Sequence, residues 1–266
     1  MRRARLDAEL VRRGLARSRE QAQELVAAGR VSVAGSTAAK AASQVDPATP
    51  IVVTAEDAGT TYVSRGGHKL AGALDALPDL AVEGRRALDA GASTGGFTDV
   101  LLRRGVAEVV AVDVGYGQLA WSLQSDPRVT VVDRTNIRTL TLEQVPGGAV
   151  DLVVADLSFI SLGLVLPAMV SVTKPDADLL VMVKPQFEVG RERLGSGGVV
   201  REPALRSEAV RTIAERAAGL GLGTAGVTAS PLPGPAGNVE YFLWLRAGAP
   251  PPDPRDIDRA IEEGPA

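Results

Sequence analysis

The sequence predicts an α/β protein in which a small α/β module precedes a larger, doubly wound domain with a Rossmann-like sheet of seven strands. Three observations support this prediction. Apolar strands and helices alternate from residue 86 onward, as they do in parallel sheets covered by helices on both faces. A glycine-rich turn follows the first of these strands. The first 30 residues carry eight arginines against four acids, unlike the rest of the chain.

Length, charge and composition exclude several classes of protein. A chain of 266 residues with 45% hydrophobic residues can bury one large and one small core. Its net charge of −3 excludes a uniformly basic protein, so any contact with nucleic acid requires a local patch. Without cysteine and with one histidine, the chain has no disulfide and few means of binding zinc, and we expect no metal.

The expected setting is reduced and cytoplasmic, without a membrane partner. The longest apolar stretches fall short of the roughly 20 residues that span a bilayer. The arginine-rich N-terminus also lacks the apolar core of a signal peptide. We expect a monomer, although the sequence leaves the oligomeric state open.

The N-terminal module is predicted to form two short helices and a small sheet. Apolar residues at helical spacing indicate a first helix over Arg5–Arg13, which Gly14 ends. A second helix follows Ser18 and ends at Gly29. A turn is predicted at residues 34–36. The predicted strands are Val31–Val33 and Ile51–Val53.

This module resembles the small RNA-binding domain of ribosomal protein S-four. The matching residues are Arg5–Asp7, Leu10–Gly14, Ser18, Arg19, Ala22, Gly29–Gly35, Lys40 and Ile51–Val53. Arginine forks bind phosphates, and the lack of aromatic residues in the module favours a structured RNA over unpaired bases. The alternative is a solvated, charged helix face. The candidate RNA-binding residues of the module are Arg3, Arg5, Arg17, Arg19 and Lys40.

The larger domain is predicted to contain seven strands. Buried parallel strands are continuous apolar runs, as residues 152–155 and 179–183 are. The predicted strands are Ala87–Ala90, Glu108–Val114, Val129–Asp133, Asp151–Asp156, Asp178–Lys184, Thr224–Ser230 and Tyr241–Leu245. Helices are predicted from Gly96, near Leu162–Thr173 and near Pro203–Leu220. The domain boundaries predicted are 1–59 for the module, 60–63 for a linker and 64–266 for the larger domain.

The glycine-rich turn after Ala90 indicates a cofactor pocket, because glycines allow close backbone approach and the next helix begins there. Its glycines are spaced G-x-x-x-G-G, which is typical of S-adenosylmethionine (SAM) methyltransferases rather than of dinucleotide-binding proteins. Acids follow the strands at the ligand edge. Asp113 is placed for the ribose hydroxyls and Asp133 for the adenine, with a turn or helix cap as the alternative for each. The candidate cofactor-binding residues are Asp89, Gly91, Ser93, Gly95, Gly96, Asp113 and Asp133.

Six longer blocks are similar to those of the TlyA family, whose members are also called haemolysin-A-like proteins. The blocks are Ser64–Leu70, Asp89–Thr98, Asp113–Leu119, Asp156–Ser161, Lys184–Glu188 and Gly237–Phe242. The resemblance extends from about Arg2 to Leu245. It implies a SAM-dependent 2′-O-methyltransferase of ribosomal RNA cytidines, with ribosomal RNA or assembled subunits as partners. One departure is the linker, where Thr60-Thr61-Tyr62-Val63 replaces the family's Arg-x-Trp-Val.

The family is similar to the heat-shock-type ribose methyltransferases, which use a Lys-Asp-Lys-Glu tetrad. By motif, this resemblance implies a catalytic tetrad of Lys69, Asp156, Lys184 and Glu240. Lys184 would activate the hydroxyl, which requires a neutral amine favoured by burial or by a second cation such as Lys69. Asp156 would orient Lys184 and favour the sulfonium, and Glu240 would hold the hydroxyl or Lys69. The alternatives are surface lysines and a solvated strand-edge acid, and His68 is interpreted as structural.

Further basic residues near strand ends are candidates for gripping the RNA backbone, with a solvated or ion-paired arginine as the alternative. These are Arg65, Arg134, Arg138 and Arg191. Three functions remain open from the sequence: an rRNA ribose methyltransferase, a non-catalytic RNA-binding assembly factor, and a membrane-active haemolysin. The lack of a signal or spanning segment counts against the last. The modified nucleotides and the ribosomal subunit are not specified by the sequence.

Overall fold

The computed structural model describes residues 4–27, 29–38, 40–46, 49–53 and 62–265. The chain divides into two compact units, residues 1–61 and 62–266. The expected linker begins outside the described residues, so its bounds stay a prediction.

The first unit contains two helices and short strands around a small apolar core. The helices are α1 (Leu6–Arg12) and α2 (Arg19–Ala27). The strands are β1 (Ala4–Arg5), β2 (Val31–Val33), β3 (Ser36–Thr37), β4 (Gln44–Val45) and β5 (Ile51–Val53). The antiparallel order β3-β2-β5 forms one sheet, and β1 pairs with β4. The expected helices and two strands are confirmed.

The sequence missed three strands of this unit. Each of β1, β3 and β4 has two residues, too few to show an alternating pattern. The expected turn at residues 34–36 is shorter than predicted. Ala34 and Gly35 have φ of 51° and 84°, as in a two-residue hairpin loop, and Ser36 already belongs to β3.

The second unit is built on a seven-stranded sheet, as predicted. Its strands are β6 (Arg86–Ala90), β7 (Glu108–Val112), β8 (Val129–Val132), β9 (Val150–Ala155), β10 (Thr173–Val183), β11 (Leu222–Ala229) and β12 (Tyr241–Ala247). The order across the sheet is β11-β12-β10-β9-β6-β7-β8. Strand β12 is antiparallel to both of its neighbours, and the other adjacent pairs are parallel. Strands β7 and β8 end before Asp113 and Asp133, whose side chains bind loop backbone.

Helices cover both faces of this sheet. They are α3 (Arg65–Ala76), α4 (Gly96–Arg103), α5 (Trp121–Gln124), α6 (Leu162–Ser171), α7 (Pro185–Glu188), α8 (Pro203–Ala218) and α9 (Pro254–Glu263). Side chains of α3 and α4 share one buried cluster with Ala87 of β6, whereas α6, α8 and α9 share the other with Leu88. Successive strand residues therefore face opposite layers. None of the helices among the described residues is long and apolar enough to cross a membrane.

Candidate active site

The glycine-rich turn lies at the carboxyl end of the central strand β6. Gly91 has φ of 85°, and a Cβ added to it would lie 2.7 Å from the backbone oxygen of Asp156. Gly95 has φ of 99°, and a Cβ there would lie 2.8 Å from a methyl carbon of Leu119. Both positions therefore favour glycine for conformation, and at Gly91 the backbone of Asp156 also leaves no room for a side chain. The turn leads directly into α4, whose first residue is Gly96.

Two of the predicted cofactor acids bind the loops around this turn. Asp113 accepts hydrogen bonds from the backbone N–H of Ser93 at 2.8 Å and of Gly115 at 2.7 Å. Asp133 accepts one from the backbone N–H of Gly117 at 2.8 Å. A carboxylate has about four acceptor sites, so both side chains keep capacity for ligand hydroxyls. Their contact with a cofactor stays a prediction.

Asp89 is fully buried at the end of β6 and turns toward α4. The Thr98 hydroxyl donates to its Oδ2 at 2.7 Å, while Oδ1 has no hydrogen-bond partner among the described residues. Burial raises the pKa of Asp89 to about 7, and the nearby charges of Asp156 and Asp113 act in the same direction. A buried acid with an unpartnered oxygen favours a cationic group nearby.

Lys69 and Glu240 form a buried ion pair. Lys69 lies on α3, and Glu240 directly precedes β12. The Lys69 Nζ atom donates to Glu240 Oε2 at 2.5 Å, and the two side chains are 8% and 1% exposed. Removing either partner would leave an uncompensated buried charge.

Lys184 and Asp156 form a second ion pair at the same edge. Lys184 Nζ lies 2.5 Å from Asp156 Oδ1, and it also donates to the Ser158 hydroxyl at 3.0 Å. The Lys184 side chain is 9% exposed and that of Asp156 is 23% exposed. Val183 pairs with Tyr241 in the β10–β12 ladder, so Lys184 and Glu240 occupy the next positions of this ladder. The topology thus brings all four tetrad positions to one edge of the sheet.

Comparison with known proteins places this arrangement in a family. Residues 62–247 match the model of the FtsJ-like methyltransferase family, and residues 4–51 match that of the S4 domain. The chain belongs to the FtsJ-like methyltransferase family.

Full-length relatives of this FtsJ-like methyltransferase confirm the resemblance to the TlyA family. "16S/23S rRNA (cytidine-2'-O)-methyltransferase TlyA" of Mycobacterium tuberculosis is 60% identical, over 99% of both chains. "Putative rRNA methyltransferase YqxC" of Bacillus subtilis is 40% identical, over 97% of this chain and 93% of its own. The solved structure "Putative hemolysin from Streptococcus thermophilus" is 37% identical with a TM-score of 0.78, over 99% of this chain and 96% of its own.

Phe159 is the most exposed large apolar residue beside the tetrad of the methyltransferase. Its side chain is 92% exposed, and its φ of 65° lies in the left-handed region that bulky residues rarely adopt. The centroid of its ring lies 5.4 Å from that of Phe187, which belongs to α7, the short helix directly after Lys184. Ser158, the neighbour of Phe159, binds Lys184. The loop that contacts Lys184 through Ser158 therefore also presents an exposed aromatic ring.

The candidate RNA-binding residues of the second unit lie in different surroundings. The Arg65 guanidinium donates to the backbone oxygen of Pro233 at 3.2 Å. The exposed Arg134 lies over the Tyr116 ring, 4.3 Å from its centroid. Arg138 is exposed, and the side chain of Arg191 lies outside the described part of the chain. Their RNA contacts stay predictions.

In the first unit, two of the candidate arginines share one buried acid. Arg5 and Arg19 contact Oδ2 of Asp7 at 2.8 and 3.1 Å. Hydrogen bonding to Arg5 holds the pKa of Asp7 well below its usual range. Asp7 is fully buried, whereas the arginine side chains are 44% and 57% exposed. The acid therefore fixes two guanidinium groups at the surface.

The other candidates of this unit are less constrained. The Arg17 guanidinium and backbone N–H both bind the Gln21 side chain. Lys40 is exposed. Arg3 lies outside the described residues.

His68 contacts an aromatic ring. Its ring meets that of Tyr62 edge-on with 5.1 Å between centroids, and the Arg103 guanidinium lies 4.8 Å from the Tyr62 centroid. Tyr62, at the linker position where the family has Trp, thus packs between a cation and an imidazole. No group of three or more His, Asp or Glu side chains among the described residues is arranged to bind a metal.

Sequence reasoning missed three residues that support the site: Ser158, Glu188 and Asn238. Asn238 is 2% exposed, accepts from the backbone N–H of Val200 at 2.9 Å and donates to the backbone oxygen of Gly198 at 3.1 Å. It therefore ties the glycine-rich loop before α8 to the segment that carries Glu240. All three lie within the blocks quoted for the family, which was the available signal, but their partners are distant in sequence.

Proposed function

We propose that this protein transfers the methyl group of SAM to the 2′-hydroxyl of a cytidine in ribosomal RNA. The proposal rests on two ion pairs, Lys69–Glu240 and Lys184–Asp156, which lie at one edge of the sheet beside the glycine-rich turn. The two lysines can contact a substrate hydroxyl, and the acids can stabilise a cofactor that carries positive charge.

The choice of ribosomal RNA rests on the relatives and on the first unit. The M. tuberculosis relative at 60% identity is named a 16S/23S rRNA (cytidine-2'-O)-methyltransferase. The S4 domain match covers the surface on which Arg5 and Arg19 are fixed by Asp7. Guanidinium groups bind phosphates through several donors, which suits the backbone of a folded RNA. An rRNA substrate also agrees with the expected cytoplasmic location.

The residues around the turn fit SAM. The unpartnered Oδ1 of Asp89, together with Asp113, Asp133 and Asp156, makes this edge acidic, which suits a cofactor that carries positive charge. The turn at Gly91 and Gly95 allows close approach of the backbone. When bound, SAM supplies an electrophilic methyl group on a sulfonium.

Lys184 is the residue placed to take the proton of the 2′-hydroxyl. In its neutral form the Lys184 amine accepts the hydroxyl proton, and Asp156, whose Oδ1 lies 2.5 Å from Nζ, orients the amine and compensates the charge of the ammonium that forms. Ser158 holds the Lys184 side chain from a second side. Lys69, fixed by Glu240, orients the hydroxyl oxygen. The exposed Phe159 ring offers a stacking face to the cytosine.

The test is to incubate the protein and a Lys184→Ala variant with radiolabelled SAM and unmodified small or large ribosomal subunits. We expect wild type alone to label a subunit, and mapping to place the methyl group on a cytidine ribose. Tight binding of SAM and RNA without labelling would favour the non-catalytic assembly factor. Leakage of liposomes by the pure protein would favour the haemolysin.

A further inference from the structure

The segment 156–161, which connects β9 to α6, carries three groups of the site. Asp156 and Ser158 contact Lys184, and Phe159 extends into solvent. The contacts of Lys184 fix only the first half of this segment. The second half needs another anchor if Phe159 is to hold its left-handed conformation, because a bulky residue keeps positive φ only when its surroundings impose it.

Glu188 supplies that anchor from the same short helix that follows Lys184. Its Oε2 accepts a hydrogen bond from the Ser161 hydroxyl at 2.6 Å, and its Oε1 accepts one from the backbone N–H of Leu162 at 2.8 Å. Burial raises the pKa of Glu188. Both carboxylate oxygens are thus engaged at the far end of the segment. The Phe187 ring, next to Glu188, packs against Phe159 between the two anchors.

Capping of α6 alone does not explain the contacts of the Glu188 carboxylate. The Ser161 hydroxyl already accepts from the backbone N–H of Gly163 at 3.2 Å, as an N-cap residue does. Glu188 adds contacts to Ser161 and Leu162, which lie 27 and 26 positions earlier in the sequence. Lys184, which directly precedes α7, and Glu188, the last residue of α7, therefore contact the two ends of one segment.

We propose that Glu188 is a positioning residue for methyl transfer. It acts through Ser161 and Leu162 to keep Asp156 and Ser158 on Lys184 and Phe159 at the rim of the site. The inference rests on the proposed function and adds a residue to its machinery. A small displacement of reacting groups is enough to slow catalysis strongly.

The test compares Glu188→Ala, Glu188→Gln and Asp253→Ala. Asp253 caps α9 by accepting from the Arg255 backbone N–H at 2.9 Å, so its removal is a control for lost helix capping. We expect Glu188→Ala to lower kcat at saturating SAM and RNA by about tenfold or more, with the SAM Kd unchanged. Glu188→Gln, which can accept from Leu162 and donate to Ser161, should restore most of the activity. Asp253→Ala should keep the wild-type kcat.

Hydrogen exchange gives a second readout that needs no methyl transfer. Amides of residues 157–163 should exchange faster in Glu188→Ala but not in Asp253→Ala, and those of residues 113–121 should not change in either. The inference is overturned if exchange in 157–163 stays at the wild-type rate, or if kcat falls equally in Asp253→Ala. Failure of wild type to label RNA would instead contradict the proposed function, and the exchange result would still decide whether Glu188 anchors the segment.

Discussion

The Nζ atom of Lys184 lies 2.5 Å from Oδ1 of Asp156, at the carboxyl ends of the adjacent parallel strands β10 and β9. The lysine side chain is 9% exposed, so its charge is compensated by Asp156 rather than by bulk water. Ser158 adds a second contact to Lys184. This geometry makes Asp156 the counter-ion of a nearly buried lysine, unlike an acid on the open surface.

Asp156→Asn should keep the shape of the site but lose the negative charge that orients Lys184 and stabilises the ammonium formed in the reaction. We expect kcat to fall by about 10²–10⁴-fold, the usual contribution of a positioned acid or base. RNA affinity should change little, because the arginines are untouched. The measurement is the steady-state rate of methyl transfer at saturating SAM and RNA. As a control, Lys174→Ala removes a 46% exposed lysine paired with Asp151, and activity should be retained. A kcat of Asp156→Asn within a few-fold of wild type would contradict a role of this charge in the proton transfer to Lys184.

Substitutions of Lys69 and Glu240 should have strongly non-additive effects on the free energy of unfolding. Lys69→Met or Glu240→Gln alone leaves a buried charge without its partner, and each should cost about 3–5 kcal/mol of unfolding free energy. The double variant should lose much less than the sum of the two. Urea unfolding of all four proteins measures this coupling. The more exposed pair Arg104–Asp75, mutated to Met and Asn, should couple by less than about 1 kcal/mol. Additive losses at Lys69 and Glu240 would contradict the pairing.

The seven strands and the edge that carries the site could be predicted from the sequence. Each apolar run indicates a strand, and an acid or lysine at the end of the run indicates the edge of the sheet where a ligand binds. Helix α3 was not predicted, since Gly66 and Gly67 in its first turn weaken the local helical signal. The family blocks named the tetrad, but its two ion pairs were not specified. Lys69 and Glu240 are 171 positions apart, so their contact depends on the sheet order.

The orientation of the Asp89 side chain also could not be predicted from the local sequence. The sequence placed it among the cofactor acids at the end of a strand. In the sheet it faces the α4 layer, where Thr98 binds it. Side chains alternate between the two faces of a strand, so its direction depends on which helix covers which face. That assignment is a property of the whole topology and not of the local pattern.

Arg5 and Arg19 should contribute to RNA binding through phosphate contacts. Arg5 uses Nε and Nη2 on Asp7, which leaves further guanidinium donors for a phosphate. Changing either residue to Gln should weaken binding to ribosomal RNA and reduce the slope of log K against log salt by about 1. Filter binding at several salt concentrations measures it. Arg255→Gln, at an 89% exposed site on α9, is the control and should keep the slope. An unchanged slope in both variants would show that Arg5 and Arg19 do not contact RNA phosphates.

The raised pKa of Asp89 should make the stability of the protein depend on pH near neutrality. Below about pH 4, the usual range for an aspartate, the carboxyl is protonated in both the folded and the unfolded chain. From there to about pH 7 the unfolded chain releases the proton and the folded chain retains it, so stability falls as pH rises. Above about pH 7 both forms are ionised and the loss is complete.

Asp89→Asn should remove this part of the pH dependence, because an amide does not ionise in either state. We expect wild type to lose up to about 1.4 kcal/mol per pH unit between pH 4 and 7 relative to the variant. Urea unfolding at four pH values gives the difference, and Asp79→Asn at an exposed position is the matched control. If SAM binds beside Asp89 as proposed, its positive charge should favour the ionised carboxylate, and an excess of SAM should reduce the loss. Parallel curves for wild type and Asp89→Asn would show that the buried carboxyl does not change its protonation in this range, and would remove it as a partner for the charge of the cofactor.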